Sequence, residues 1–258
     1  MNKRRIRAAA RQERAPPVAP HRDATVNSRL MASRQGMFSS SVGTKILIGI
    51  TGLLLFFYLL IHIAGNLVVF LGPAAFNKYA FTLESNPLLI VIELVLLSWF
   101  VIHIYKTVRM FLGNQSARPV AYVKKKSAGH TTRKTFASST MIFSGLWLLV
   151  FLLIHVKTFR DGWGTQYEWP AGGRDLYRQE MEAFQNPLMV AFYVISMLVV
   201  GSHLWHGFAS AFQSLGLSHP GLGRRLMVVG KVLAVLIAGA FIVIAVWAYT
   251  QHGGQVHA

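Results

Sequence analysis

The chain contains no cysteine among its 258 residues. That absence removes disulfides, thiolate metal sites, iron–sulfur ligation and covalent haem attachment from this chain, leaving His, Asp, Glu and Met to hold any cofactor. Charge is scarce as well: 14% of the residues are Asp, Glu, Lys or Arg, against about a quarter in an average soluble domain. Acids are scarcest, 9 against 26 Lys and Arg, for a formal charge of +17. In a soluble chain that excess would point to nucleic acid. Here the charges sit between long apolar runs and avoid the runs themselves, so no nucleic-acid role is expected and the excess is read as topology. There is no dinucleotide-binding glycine fingerprint, so a complete redox active site is not expected in this chain alone.

What is abundant is apolar length. Hydrophobic residues make up 53% of the chain. Five stretches, 45–70, 88–112, 138–158, 188–212 and 229–250, are each long enough for a hydrocarbon layer about 30 Å thick, which takes roughly 20 helical residues. Backbone groups cannot go unpaired in lipid, and the alternation of barrel strands is missing. The expected fold is therefore an all-α integral membrane bundle of five transmembrane helices.

Segments 1–45, 113–136 and 213–231 carry ten, six and three basic residues, with Glu13 and Asp23 as the only acids. The positive-inside rule makes these segments cytoplasmic. The alternating segments, holding Lys78 with Glu84 and then Lys157 through Glu182, are balanced or slightly acidic and are expected outside, so the chain should run N-inside to C-outside. Residues 1–40 are Arg- and Ala-rich with Pro16, Pro17 and Pro20 and no apolar signal core. They read as a basic, mobile cytoplasmic arm near anionic headgroups or a partner, with a transit peptide as the other reading. The membrane domain is expected over 41–252, with an outer tail at 253–258.

An internal repeat organises the spans. Gly52 to His62 aligns with Gly145 to His155 with seven of eleven positions identical. Asn86-Pro87-Leu88 and Asn186-Pro187-Leu188 open the second and fourth spans, and His103 and His203 each follow their proline by sixteen residues. The chain thus reads as a duplicated two-helix hairpin plus a fifth helix, the copies related by an axis along the membrane normal. With a rise of about 1.5 Å per residue, His62 and His155 fall in the outer half, and His103 and His203 in the inner half. The two levels are separated by roughly 15 Å, and each level takes one histidine from each repeat.

Intramembrane histidines serve either as buried polar glue or as ligands. Four of them matched in pairs fit the axial positions of two six-coordinate haem irons, which need imidazoles on opposite porphyrin faces and no open site. The expected role is electron transfer through two b-type haems, His62 with His155 outside and His103 with His203 inside. His206, one turn beyond His203, is its rival. The spacing from Pro187 favours His203, and Gly207 is expected to relieve the wall beside its ring. His21, His130, His219, His252 and His257 fall in loops or tails and receive no role.

Glu93 is the single carboxylate inside a span. It reads as a neutral acid bonded to a neighbouring helix or as a proton-exchanging group beside a quinone or haem propionate. Glu84 and Asn86 are weaker candidates for that work. Lys106, Arg109, Lys157 and Arg160 could pair with propionates or simply snorkel to the interface.

Several motifs carry a family resemblance: Asp175-Leu-Tyr-Arg, Phe184-Gln-Asn-Pro187, Phe192 to Met197, His62-Ile-Ala-Gly-Asn-Leu67, Phe76-Asn-Lys-Tyr79 and, most specifically, His203 to Leu217. Over roughly residues 38–250 the chain resembles the five-helix dihaem cytochrome b (b558-type) anchor subunit of succinate dehydrogenases and related fumarate reductases. The resemblance implies a multi-pass subunit of the bacterial cytoplasmic membrane. It would bind a FAD-containing flavoprotein and an iron–sulfur protein on the cytoplasmic face and pass electrons between them and a quinone, usually menaquinone. It also implies axial ligands one from each of the first four helices, pairing first with third and second with fourth, which map onto His62 with His155 and His103 with His203. The family's quinone-site glutamate aligns with either Glu84 or Glu93. Two other readings stand beside this one: the cytochrome b subunit of a hydrogenase, formate dehydrogenase or other quinone-linked dehydrogenase, and a haem-free proton-coupled transporter using the histidines and Glu93 as a relay.

Overall fold

The computed structural model describes residues 40–117, 140–160, 163, 166–217 and 220–251. The basic arm short of Ser40, the expected cytoplasmic loop 118–139, the end of the chain beyond 251, and His21, His130, His219, His252 and His257 lie outside the described residues.

Among the described residues seven α-helices follow one another: α1 (Ser41–Asn66), α2 (Pro73–Glu84), α3 (Leu88–Ser116), α4 (Met141–Phe159), α5 (Leu176–Ala183), α6 (Pro187–Ser214) and α7 (Pro220–Thr250), with a 3-10 turn at Leu67–Leu71 continuing α1. Among the described residues there is no strand, only an isolated bridge between Glu168 and Arg174. Five helices, α1 with its 3-10 extension, α3, α4, α6 and α7, are long and apolar enough to cross a membrane. The chain is thus an all-α, multi-pass membrane protein.

Local chemistry sets the ends of these elements. The 3-10 turn stops at Gly72, whose φ of 90° suits glycine, and Pro73 then starts α2 at a position where a missing N–H costs nothing. Asn86 and Asn186 act alike: each side-chain oxygen accepts the amide of the leucine two residues on, Leu88 or Leu188, at 2.9 Å. Asp175 caps α5 by accepting the Arg178 amide at 2.9 Å. Helix limits differ from the expected spans most at α7, which begins at Pro220, nine residues before 229. Hydropathy locates only the hydrocarbon layer, whereas helical hydrogen bonding runs on through Gly223, Arg224 and Arg225, where Pro220 can open it. The helices α2 and α5 are additions to the expected five; their lengths of 12 and 8 residues are too short to register as spans.

The bundle is built around α6, which packs on α7, α1 and α4, while α3 lies against α1 and touches α4 only slightly. With no water to escape from in lipid, close packing and polar bonds hold such helices together. The α6–α7 seam uses small residues: a Cβ added at Gly201 would sit 3.2 Å from Ala238 Cβ, and one at Gly230 would strike the Phe208 ring. Phe56 of α1, Phe208 of α6 and Ile237 of α7 form one buried cluster.

At the end where α1 and α4 finish, α2 and α5 cover the bundle over a second cluster that includes Ile63, Phe76, Tyr177, Phe184, Tyr193 and Ile244. Asn77, fully buried, ties the two covering helices together by donating to Asp175 Oδ1 at 2.7 Å and accepting the Tyr177 amide at 2.9 Å. Arg174 pairs with Glu84 at the end of α2. It also donates to the terminal carbonyls of Phe159 and Arg160 at 3.1 and 2.9 Å, satisfying the negative end of α4. This is the capped end of the bundle.

Candidate functional site: two levels of paired histidines

His62 lies one turn before the end of α1, and His155 one turn before the end of α4. The fold brings these two rings together near the capped end, with centres 5.8 Å apart and planes at 87°. Aromatic rings surround them: Tyr58 stacks on His62 at 5.4 Å and Phe241 approaches at 5.7 Å, while Phe151 and Phe159 stand 5.5 and 5.3 Å from His155. Such walls exclude water and leave the imidazoles few polar partners.

His103 and His203 lie deeper, fifteen residues into α3 and sixteen into α6, and so roughly 15 Å further from the capped end. Their surroundings match. Thr51 Oγ1 lies 3.1 Å from His103 Nδ1, and Ser144 Oγ lies 2.9 Å from His203 Nδ1. The neighbouring glycines match as well: a Cβ at Gly52 would be 3.1 Å from His103 Cε1, and one at Gly145 would be 3.7 Å from His203 Cε1. The expectation that Gly207 makes room beside His203 is corrected here. Gly207 faces the Met141 methyl, and it is Gly145, on the neighbouring helix, that lies against the His203 ring.

All four rings present Nδ1 to a partner, since His62 Nδ1 lies 3.4 Å from Asn66 Nδ2 and His155 Nδ1 lies 3.3 Å from the Tyr193 hydroxyl. His206 differs, engaging its Nε2 with Ser210 of its own helix at 3.0 Å. Thr51, Ser144, Asn66 and Tyr193 are thus parts of the site beyond the residues selected by the repeat. Thr51 and Ser144 directly precede the aligned glycines, so extending the repeat by one residue exposes that pair. Tyr193 lies outside the repeat, within the Phe192 to Met197 motif.

Between the levels, Trp147 of α4 donates its indole N–H to the buried Ser196 of α6 at 3.1 Å. Beyond His103, the hydroxyl of Thr107 is buried with no hydrogen-bond partner. Thr51, Thr82, Ser98 and Thr158 all bond the carbonyl four residues back, which makes the orphaned hydroxyl of Thr107 unusual.

The expected acids and bases disperse. Glu93 of α3 forms an ion pair with Arg160 at 3.3 Å. Glu84 is held by Arg174, and the Asn86 carboxamide is used in capping α3. Arg109 bonds the Tyr105 hydroxyl at 3.4 Å, and Lys157 stands over the Trp163 ring at 5.8 Å. An apolar groove of about 200 Å³ opens between α1 and α3, lined by Tyr58, Val91, Ile92, Val95, Leu96 and Trp99.

One further carboxyl escaped sequence reading. Glu180 of α5 is 5% exposed, and burial pushes its carboxyl up to about 8. Its place in a polar, acid-rich loop segment gives no hint that the fold encloses it.

Among the described residues no group of three or more His, Asp or Glu converges; His62 and His155 meet as a pair. Compared with protein-family models, curated proteins and solved structures, the chain matches none.

Proposed function

We propose that this chain is the dihaem cytochrome b anchor of a succinate:quinone oxidoreductase, holding one b-type haem between His62 and His155 and another between His103 and His203. The observation that carries the reading is the His62–His155 apposition. Two imidazoles bonded at about 2 Å to opposite faces of one iron have ring centres roughly 6 Å apart, and these stand 5.8 Å apart with perpendicular planes. A porphyrin supplies four ligands of its own, so a pair of histidines is a complete protein contribution. A bis-imidazole haem supplies one-electron transfer.

Further support comes from groups that suit a haem and have no other evident use. The two glycines beside His103 and His203 leave room against each ring, and the orphaned Thr107 hydroxyl is a donor awaiting a polar group such as a propionate. The slight contact between α3 and α4, each carrying one histidine of a different pair, suits a bundle in which a rigid planar group sits between the helices.

In this reading the chain is a duplicated hairpin plus a fifth helix, N-inside and C-outside, in the bacterial cytoplasmic membrane. His62 and His155 then hold the outer haem. The apolar groove beside Tyr58 and Trp99, with Glu93 and Arg160 near its edge, takes the quinone, probed most simply with menaquinone. Glu93 moves the proton. A flavoprotein with FAD and an iron–sulfur protein dock on the cytoplasmic face, because this cysteine-free chain holds no centre that oxidises a dicarboxylate. The test is purification of the native complex through a tag on this chain. Co-purifying covalent flavin and iron–sulfur centres with succinate-dependent quinone reduction are expected. Nickel or molybdenum in place of flavin would assign the chain to another quinone-linked complex.

A further inference from the structure

We infer that Thr51 and Ser144 are positioning residues that fix the tautomer of His103 and His203, directing each Nε2 lone pair toward the iron. The inference rests on the haem reading above but concerns two side chains that the histidine pattern itself does not select. A hydroxyl has one proton to give. Thr51 Oγ1 gives its proton to the Leu47 carbonyl at 2.7 Å, with Ile48 a longer second partner at 3.3 Å. Ser144 Oγ gives its own to the Met141 carbonyl at 3.0 Å. Each oxygen therefore meets its histidine as an acceptor, at 3.1 Å for His103 and 2.9 Å for His203. The imidazole proton must then sit on Nδ1, and Nε2 is left as a bare lone pair. Were the hydroxyls donors instead, the proton would move to Nε2 and block coordination.

This device is peculiar to one level. At the other, Asn66 Nδ2 donates to the His62 carbonyl at 2.7 Å and lies 3.4 Å from His62 Nδ1, and His155 Nδ1 lies 3.3 Å from a tyrosine hydroxyl, contacts too long to fix a tautomer in the same way. A hydrogen bond accepted from Nδ1–H raises the basicity of the imidazole and favours the oxidised iron. Removing the acceptor therefore favours the reduced form of that haem alone.

The test is a redox titration of the purified complex, followed at the haem absorption bands, for wild type, Thr51→Val, Thr51→Ser and Ser144→Ala. His103→Ala identifies which haem belongs to this level. Thr51→Val and Ser144→Ala should each raise the reduced-to-oxidised ratio of that same haem about three- to tenfold at fixed ambient potential, tenfold being about 59 mV for a one-electron couple. Thr51→Ser should behave as wild type, and the other haem should not move. A variant that loses this haem while Thr51→Ser keeps it is the same result in stronger form. Unchanged potentials in both variants, or a shift confined to the other haem, would overturn the inference while leaving the dihaem reading intact. A haem-free wild-type complex would instead overturn both.

Discussion

Ser210 holds His206 by its Nε2 at 3.0 Å, one turn along the same helix. His203, three residues earlier, reaches across to Ser144 on α4 by its Nδ1 at 2.9 Å. The two histidines are close in sequence and opposite in which nitrogen they commit. The expected outcome is that His203→Ala lowers haem content from two per chain to one and His206→Ala leaves it at two, measured by pyridine haemochrome. Equal losses would show that the committed nitrogen does not decide the ligand.

The glycines beside the deeper pair are not equally tolerant. A Cβ at Gly52 would press on His103 at 3.1 Å, whereas one at Gly145 would make an ordinary contact with His203 at 3.7 Å. Overpacking of this kind costs about 1–3 kcal/mol where the neighbour cannot yield. Gly52→Ala should shift the absorption band or reduce the occupancy of one haem, and Gly145→Ala should do so far less. Equal effects in optical spectra would mean that both rings have the same freedom to move.

Glu180 makes stability depend on pH. Burial raises its carboxyl from 4.5 to about 8, so between those values the folded chain keeps a proton that the unfolded chain releases. Stability is fully present below the lower value and falls as pH rises through the upper one. Thermal melts in detergent should show an apparent Tm that drops across this window in wild type, and a flatter profile in Glu180→Gln. Parallel profiles would place the pH dependence elsewhere.

Glu93 and Arg160 form an ion pair whose side chains are 38% and 54% exposed, so its stability value is small. Its proposed use is proton delivery at the quinone groove. Glu93→Gln should slow quinone reduction on the order of 100-fold, as removal of a positioned proton donor does, with haem content unchanged. An unchanged turnover rate would reduce the pair to an anchor between α3 and α4.

The five spans are legible in the sequence because lipid demands continuous apolar helices, and nothing else in the chain mimics twenty apolar residues. The histidines are legible because intramembrane imidazoles are few and regularly spaced. The groups that engage them are less so. Tyr193 meets His155 across 38 positions and Asn77 meets Asp175 across 98, and no local pattern announces such contacts. The helices α2 and α5 hide for another reason. Their signals are a proline after Gly72 and a capping Asp175, ordinary turn chemistry that also occurs in loops. Gly207 shows the opposite error, in which spacing along one helix suggests a neighbour that the adjacent helix in fact supplies.

The central claim is that His62 with His155, and His103 with His203, each hold one haem. A pyridine haemochrome count with a reduced-minus-oxidised spectrum of the purified chain from a haem-replete host tests it most directly, in wild type and in the paired variants His62→Ala/His155→Ala and His103→Ala/His203→Ala. Two b-type haems in wild type are predicted, with one remaining in each double variant and a different one each time. A correctly inserted wild-type chain without haem would contradict the claim and shift the weight to a proton relay built on the same histidines.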